Sequence, residues 1–246
     1  MKTLEKKAAI VTGGGSGIGR AIALAYASEG AAVVVADIDE AGGKETVGLI
    51  TRQSGQAIFV KADSSKPSDN EAVVKACVEK YGGLQVACNN AGIGGPAAVT
   101  GEYPIDGWDK VIAVNLSGVF YGMRHQIPAM LKSGGGAIVN IASILGQVGF
   151  RTASAYVAAK HGVVGLTKNA ALEYADKKIR VNAVGPAFIK TPLIQKIDEK
   201  QLVPLHPIGR LGEPEEVANL VVFLSSDKAS FITGGYYSID GGYLSQ

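Results

Sequence analysis

The sequence predicts an α/β protein in which short buried strands alternate with helices. Short apolar runs alternate with longer segments of helical spacing, which is typical of a parallel sheet covered by helices. A glycine-rich turn separates the first apolar run from the first helix. The chain has 246 residues, 47 % of them hydrophobic, which is enough to bury one large core. The whole chain, 1–246, is therefore predicted to be a single domain.

The element bounds follow from where apolar runs and helical patterns begin and end. Strands are predicted at 8–11, 32–36, 57–61, 84–88, 136–141, 180–184 and 236–239. Helices are predicted at 20–28, 41–54, 67–81, 106–131, 154–174 and 213–224. A loop is expected at 92–101 and an irregular turn at 185–192, which leads into a mobile substrate flap of about 188–207.

Bulk properties exclude several classes of function. The net charge is +2 without a basic cluster, so no nucleic-acid partner is expected. Residues 1–7 lack the apolar segment of a signal peptide, and no apolar run reaches the length of about 18 residues that a membrane span needs. Cys77 and Cys88 fall on separate elements and are expected to be reduced core residues. The sequence therefore predicts a soluble, cytoplasmic protein.

The glycine-rich turn at 12–19 has the spacing Gly-x-x-x-Gly-x-Gly. Glycines let a backbone approach a pyrophosphate closely, and a helix N-terminus offers unpaired N–H groups. The turn therefore fits a phosphate cradle, although a tight turn without a ligand has the same pattern.

Asp37 ends the second predicted strand at the distance from the turn where a carboxylate can bond an adenosine ribose. This carboxylate would repel a 2′-phosphate, and neither Ser16 nor Ile38 supplies a compensating positive charge. These residues favour NAD over NADP, unless Asp37 is only a solvated strand-end residue. Asp63, after the third strand, could bond an adenine amino group, cap a helix or be solvated.

Two further polar residues stand out. Asn115 lies inside a predicted helix, where asparagine is a poor helix former, so we expect a hydrogen bond to a backbone carbonyl or a water. Ser143 follows the fifth strand and is expected to face the crevice at the carboxyl edge of the sheet.

Tyr156 and Lys160 are four residues apart on a predicted helix, so both side chains are expected on one face. An ammonium roughly 4 Å from a phenol, in an effective dielectric of about 20, favours the phenolate by about 4 kcal/mol. That energy lowers a tyrosine pKa by about three, before desolvation of the lysine is counted. The pair is a plausible proton donor to a carbonyl or acceptor from an alcohol.

Taken together, these residues resemble the short-chain dehydrogenase/reductase family. The resemblance covers residues 7–242 and rests on the following motifs in order: the glycine turn with Thr12, Asn89-Asn90-Ala91-Gly92, Asn115, Ser143, Tyr156 and Lys160. It implies a Rossmann-type, doubly wound sheet of about seven parallel strands with helices on both faces. It also implies a homotetramer that assembles through the helices carrying Asn115 and Tyr156.

The resemblance implies a role for each matching residue. Tyr156 would be the acid/base, Lys160 would lower its pKa and bond the nicotinamide ribose, and Ser143 would hold the substrate oxygen. Asn115 would anchor a water that links Lys160 to solvent. The cofactor-binding residues would be Gly13, Ser16, Ile18 and Gly19 at the pyrophosphate, Asp37, Ile38 and Asp63 at the adenosine, Asn89, Ala91 and Gly92 beside the ribose, and Pro186, Ile189 and Thr191 at the nicotinamide, together with Tyr156 and Lys160.

The predicted activity is reversible hydride transfer between NAD(H) and a ketone or secondary alcohol. The substrate-side segments 94–99, 145–151 and 188–205 are mostly apolar, which favours an apolar substrate. One alternative is a 3-oxoacyl-[acyl-carrier-protein] reductase, although Asp37 disfavours the NADPH that such enzymes usually take. Another is a non-catalytic, nucleotide-bound sensor, which the full set of four candidate catalytic residues disfavours.

Two details depart from the simplest form of this prediction. Ala187 follows Pro186 where the family usually has glycine, so its methyl is expected to narrow the site or restrict the turn. No metal site is predicted, except that the terminal carboxylate of Gln246 could ligate Mg²⁺ near a tetramer axis, as in some relatives.

Overall fold

Seven short strands form one fully parallel sheet in the computed structural model, which describes residues 2–195 and 197–246. The strands are β1 (Ala8–Thr12), β2 (Ala32–Asp37), β3 (Gln56–Lys61), β4 (Val86–Asn89), β5 (Gly136–Ile141), β6 (Ile179–Pro186) and β7 (Tyr236–Ile239). Their order across the sheet is β3-β2-β1-β4-β5-β6-β7. The strand order reverses between β1 and β4, and a crevice that can take a ligand forms at the carboxyl ends of the strands at such a point. The predicted doubly wound fold is confirmed.

Helices cover both faces of this sheet. They are α1 (Gly17–Ser28), α2 (Glu40–Arg52), α3 (Pro67–Tyr81), α4 (Ile105–Ile112), α5 (Gly118–Lys132), α6 (Ser154–Tyr174), α7 (Glu199–Leu202) and α8 (Pro214–Ser225). None of the described helices is long and apolar enough to cross a bilayer.

The core has two layers because successive strand residues point to opposite faces of the sheet. Ile10 and Val34 lie in one layer with residues of α3, α5 and α6. Val11 and Val35 lie in the other layer with residues of α1 and α8. Cys77 and Cys88 are both free and buried, as expected, one in each layer.

Several elements have the predicted bounds, and others differ from the prediction. The helix expected at 106–131 begins at Ile105 and is divided by a π-helical turn, Ala113–Ser117. The irregular turn expected from 185 begins two residues later, because Gly185 and Pro186 still pair with β7. The helix expected from 20 begins at Gly17.

The predicted flap is not a plain loop. Its described part forms three short helical segments, Pro192–Ile194, Glu199–Leu202 and Val203–Leu205. Lys196, which lies within the predicted flap, and Met1 are outside the described residues.

Candidate active site

The candidate site is a cleft of about 210 Å³ at the carboxyl ends of β1, β2, β4, β5 and β6. A larger open groove of about 690 Å³ lies at the opposite edge of the sheet, between the N-terminal residues, the end of α1 and the start of β3. The carboxyl edge is where open α/β sheets bind ligands, and the cleft there contains the predicted acid/base group. We therefore assign the site to the smaller cleft.

The glycine turn forms one end of the cleft and is clamped to the end of β4. The side-chain amide of Asn90 donates to the carbonyls of Thr12 (2.9 Å) and Gly13 (3.2 Å). The hydroxyl of Thr12 accepts from the backbone N–H groups of Asn90 (3.0 Å) and Ala91 (3.1 Å). The turn is thus part of a rigid junction between β1, α1 and β4.

Glycine is required at two positions of this turn. Gly13 has a φ of +63°, in the left-handed region that side chains disfavour. At Gly19, an added Cβ would lie 2.0 Å from the carbonyl oxygen of Gly13. Within the described residues no side chain caps α1 at Ser16, so its first N–H groups face the cleft without a side-chain partner. This cradle fits the pyrophosphate of a dinucleotide.

Asp37 lies at the end of β2 and also lines the cleft. Its Oδ2 accepts from the backbone N–H of Gly15 at 2.8 Å, and its Oδ1 accepts from that of Asp39 at 2.8 Å. The guanidinium of Arg20 bonds the Gly15 carbonyl and forms an ion pair with Glu45 (2.6 Å). This cation near the turn is thus already neutralised by a carboxylate.

Tyr156, Lys160 and Ser143 meet at the other end of the cleft. The Lys160 ammonium is buried, lies 5.5 Å from the centre of the Tyr156 ring and donates to the carbonyl of Ile141 at 2.7 Å. Burial lowers the pKa of Lys160 to about 8. The Ser143 hydroxyl accepts from the N–H of Leu145 at 3.2 Å and lies 3.5 Å from the carbonyl of Pro186.

The pKa of Tyr156 differs from the prediction. Burial raises the pKa of the phenol above its ordinary value, and a hydrogen bond with Ser143 opposes this shift. We expected the ammonium to lower this pKa, but Lys160 is directed at the Ile141 carbonyl and the desolvation of the phenol dominates. Tyr156 is therefore a protonated phenol at neutral pH.

Asn115 lies in the π-helical turn between α4 and α5 and is fully buried. Its Oδ1 accepts from the N–H of Ile93 (2.9 Å), and its Nδ2 donates to the carbonyl of Ile93 (2.8 Å). The expected hydrogen bond to a backbone carbonyl is confirmed. Such π-helical turns are frequent at functional sites.

Most of the predicted site residues share this cleft. Those that line it are Gly13, Ser16, Ile18, Gly19, Asp37, Ala91, Gly92, Ser143, Tyr156, Lys160, Pro186, Ile189 and Thr191. Four further lining residues were not predicted: Gly17, Asn90, Ile141 and Ala142. The lining also includes Ala187, whose methyl was expected to narrow the site, and three residues of the predicted substrate-side segment 188–205: Pro192, Leu193 and Ile194. Asn90 and Ala142 each come just after a strand, and this rule could have found them.

Four predicted residues do not line the cleft. Ile38 is 64 % exposed beyond the end of β2, and Asp63 accepts from the N–H and hydroxyl of Ser65. Asn115 is not among the lining residues and bonds the backbone of Ile93 instead. The side chain of Asn89 points into the core.

Asn89 belongs to a buried amide network. Its Nδ2 donates to Asn140 (2.9 Å) and to Gln126 (3.1 Å), and Gln126 returns a bond at 2.8 Å. Asn140 in turn donates to Thr167 at 3.0 Å. The network joins β4 and β5 to α5 and α6. The side chain of Asn89 therefore stabilises the core beneath the strand ends that form the cleft and does not contact a ligand there.

The side chain of Gln246 donates to the carbonyl of Leu205 at 3.1 Å, which places the chain end beside the flap. Among residues 2–195 and 197–246, no three His, Cys, Asp or Glu side chains come together as a metal site would require.

A doubly wound sheet with a dinucleotide cradle and a tyrosine–lysine–serine group in one cleft defines a nicotinamide-dependent oxidoreductase. The sequence model of a family described as Enoyl-(Acyl carrier protein) reductase matches residues 13–244. Together with the relatives below, this match shows that the chain belongs to the short-chain dehydrogenase/reductase family.

The relatives described next are named as dehydrogenases or reductases, and each matches this chain over nearly its full length. A cyclohexanol dehydrogenase of Acinetobacter sp. (strain SE19) is 54 % identical, over 98 % of this chain and 96 % of its own. A cis-4-hydroxycyclohexanecarboxylate dehydrogenase of Sinomonas cyclohexanicum is 42 % identical, over 98 % of each chain. A levodione reductase of known crystal structure is 36 % identical in sequence to this chain. The two structures superpose with a TM-score of 0.95, over 98 % of this chain and 99 % of the reductase. The protein is an oxidoreductase of alcohols and ketones, so the sensor alternative is not retained.

Proposed function

We propose that the protein interconverts a cyclic, apolar secondary alcohol and its ketone with NAD(H), using Tyr156 as acid and base. The observation that carries this proposal is that Tyr156, Ser143 and Lys160 line the same cleft as the glycine cradle and Asp37. The cyclic substrate is supported by the relatives named for cyclohexanol and for a hydroxycyclohexane acid.

The chain's own groups account for the movement of the proton. A bound nicotinamide supplies or accepts the hydride. In reduction, the Tyr156 hydroxyl donates its proton to the carbonyl oxygen that Ser143 also bonds. In oxidation, the Tyr156 phenolate accepts the hydroxyl proton of the alcohol. Because burial raises the pKa of Tyr156, the protonated phenol suits the reductive direction at neutral pH, and the phenolate that oxidation requires forms at alkaline pH.

Lys160 has two tasks in this proposal. Around neutral pH its ammonium adds positive potential beside the Tyr156 oxygen, and it would bond the ribose of the nicotinamide. With a pKa of about 8, Lys160 is mostly charged at neutral pH. Asn115, held by Ile93, is proposed to anchor a water that connects this buried amine to solvent.

NAD is the proposed cofactor because the carboxylate of Asp37, at the end of β2 in the cleft, would repel a 2′-phosphate on the adenosine ribose. We expect Asp37→Asn, which removes the charge but keeps the shape, to shift the NAD/NADP ratio of kcat/KM toward NADP by about tenfold or more, about 1.4 kcal/mol. Steady-state kinetics with both cofactors measure this ratio.

The matched control for this variant is Asp39→Asn. It makes the same change of charge two residues away, and asparagine also caps α2 well. An unchanged ratio in Asp37→Asn, or an equal shift in both variants, would contradict the proposed preference.

The substrate end of the cleft is proposed to take an apolar ring. The three segments predicted to contact the substrate carry apolar side chains that are more than one-third exposed: Val99, Val148, Phe150, Leu193 and Ile197. Of these, Leu193 lines the cleft. Phe150 meets Phe188 edge to face, with ring centres 6.1 Å apart. This surface resembles the lining of a site for an apolar ligand.

The alternative of an acyl-carrier-protein substrate requires a basic surface near the mouth. Lys190 is paired with Glu213 (2.7 Å) and Arg210 with Glu216 (2.7 Å), so these two cations are neutralised.

A panel of cyclic alcohols, linear alcohols and 3-oxoacyl thioesters, each with both cofactors, tests the function. We expect the highest kcat/KM for cyclic alcohols with NAD. Preference for the thioesters would overturn the proposal.

We also propose a homotetramer located in the cytoplasm. Ile105, Trp108, Phe120 and Leu172 are exposed apolar side chains on α4, α5 and α6, and they suit a helix-to-helix interface. Two free cysteines suit a reducing compartment. Light scattering from the purified protein measures the assembly, and a monomer would contradict this part of the proposal.

A further inference from the structure

The phenol of Tyr236 reaches the candidate site from the far edge of the sheet. Tyr236 is the first residue of β7, the edge strand, and it pairs with Ala183 of β6. Its hydroxyl donates to the carbonyl oxygen of Ser143 at 2.9 Å. Ser143 follows β5, so the side chain extends over β6 to reach it.

This contact is possible because Gly185 has no side chain. A Cβ built on Gly185 would lie 2.0 Å from the Tyr236 hydroxyl oxygen and 2.3 Å from its Cζ. The φ of Gly185 is not in the left-handed region, so its backbone alone does not require glycine. The space it leaves is filled by the phenol.

The bond fixes the backbone of Ser143 and leaves its hydroxyl available. The Ser143 carbonyl accepts a second bond, from the N–H of Gly146 at 2.9 Å. The hydroxyl, in contrast, makes longer contacts with the Leu145 N–H (3.2 Å) and the Pro186 carbonyl (3.5 Å), and it bonds the Tyr156 hydroxyl inside the cleft. Two good bonds therefore hold the peptide while the oxygen on the side chain can still meet a ligand.

We infer that Tyr236 is a positioning residue of the reaction, which sets the place of the Ser143 hydroxyl through the Ser143 carbonyl. This inference rests on the proposed role of Ser143. Burial raises the pKa of Tyr236 to about 12, so its hydroxyl remains a hydrogen-bond donor over the working pH range. Small displacements of a positioned group lower the rate strongly, by as much as about 10² per ångström.

The test is Tyr236→Phe, which keeps the ring and removes the donor. We expect kcat with a cyclic alcohol to fall about tenfold, while the KM for NAD stays within about twofold of the parent value. A merely structural role would lower thermal stability without this separation of kcat from KM.

The matched control is Tyr237→Phe, the same change one residue along β7. Tyr237 packs against the other core layer, so its loss should leave kcat unchanged. A parental kcat in Tyr236→Phe, or an equal fall of kcat in both variants, would overturn the inference.

Gly185→Ala provides a second, independent variant if Tyr236→Phe does not fold. Its Cβ must displace the phenol, so kcat should fall although Tyr236 is present. A folded Gly185→Ala with parental kcat would also overturn the inference.

If Tyr156→Phe remains active, the proposed function itself fails. If Tyr156→Phe is inactive and Tyr236→Phe is normal, only the positioning role fails.

Discussion

Tyr156→Phe is expected to lower kcat/KM with the preferred cyclic alcohol by about 10²–10⁴, the usual contribution of a general acid or base. The variant keeps the ring that packs beside Lys160 and removes only the atom that moves the proton. Cofactor binding should change little, so dinucleotide affinity, measured by fluorescence titration, should stay near the parent value. Activity is measured in both directions at several pH values.

The pH profile of the parent adds a second readout to this experiment. The raised pKa of Tyr156 keeps the phenol protonated at neutral pH, and the phenolate forms only as the pH rises into the alkaline range. Oxidation should therefore become faster with rising pH and reduction slower, and both trends should disappear from any residual activity of Tyr156→Phe.

Tyr174→Phe is the control on the same helix. Tyr174 also has a lysine nearby, with the Lys177 ammonium 5.0 Å from its ring centre, but it lies at the other end of α6. Near-parental turnover by Tyr156→Phe would reject the proposed chemistry, as would an equal loss in Tyr174→Phe.

Lys160→Met is expected to lower kcat by about 10² or more, because the phenolate loses its neighbouring charge and the cofactor loses a ribose contact.

The same variant also tests how the buried Lys160 affects the stability of the folded protein. The pKa of Lys160 falls from an ordinary value of 10.5 to about 8 on folding, so the unfolded chain binds more protons between these pH values. The buried charge therefore destabilises the folded parent fully below pH 8, and this penalty is relieved as the pH rises to 10.5.

The measurable quantity is the free energy of unfolding of the parent minus that of Lys160→Met, without cofactor. It should rise by about 3 kcal/mol between pH 7 and pH 10.5, because each pKa unit is worth about 1.4 kcal/mol. Urea unfolding at a series of pH values measures it. Lys168→Met, an exposed position on the same helix, should show no such trend. A flat difference for Lys160→Met would contradict the lowered pKa.

The sequence was sufficient for features that depend on local pattern. The helix α3 has its predicted bounds because Pro67 occupies the first turn and Gly82 ends it with a φ of +80°. The spacing of Tyr156 and Lys160 placed both on one face of α6, and both line the cleft. The cleft itself followed from the rule that parallel strands present their carboxyl ends at one edge.

Features that depend on tertiary context were not predictable. The direction of the Asn89 side chain is set by the pleat of β4 and by its partners Gln126 and Asn140, which are distant in sequence. The pKa of Tyr156 depends on how completely the fold buries the phenol, and a spacing of four residues cannot report this. The side-chain bonds of Asn115 in the π-helical turn likewise need the backbone of Ile93, which lies 22 residues away in sequence.

The contact between β6 and β7 bears on how this chain can change by substitution. Gly185 and Tyr236 share one volume, since a β-carbon at the first would come within 2.0 Å of the phenol of the second. Gly185 therefore cannot be exchanged for a residue with a side chain while the phenol of Tyr236 keeps its place. Among descendants of this sequence, a larger residue at 185 should appear only together with a smaller one at 236, so that the two sites evolve as a linked pair.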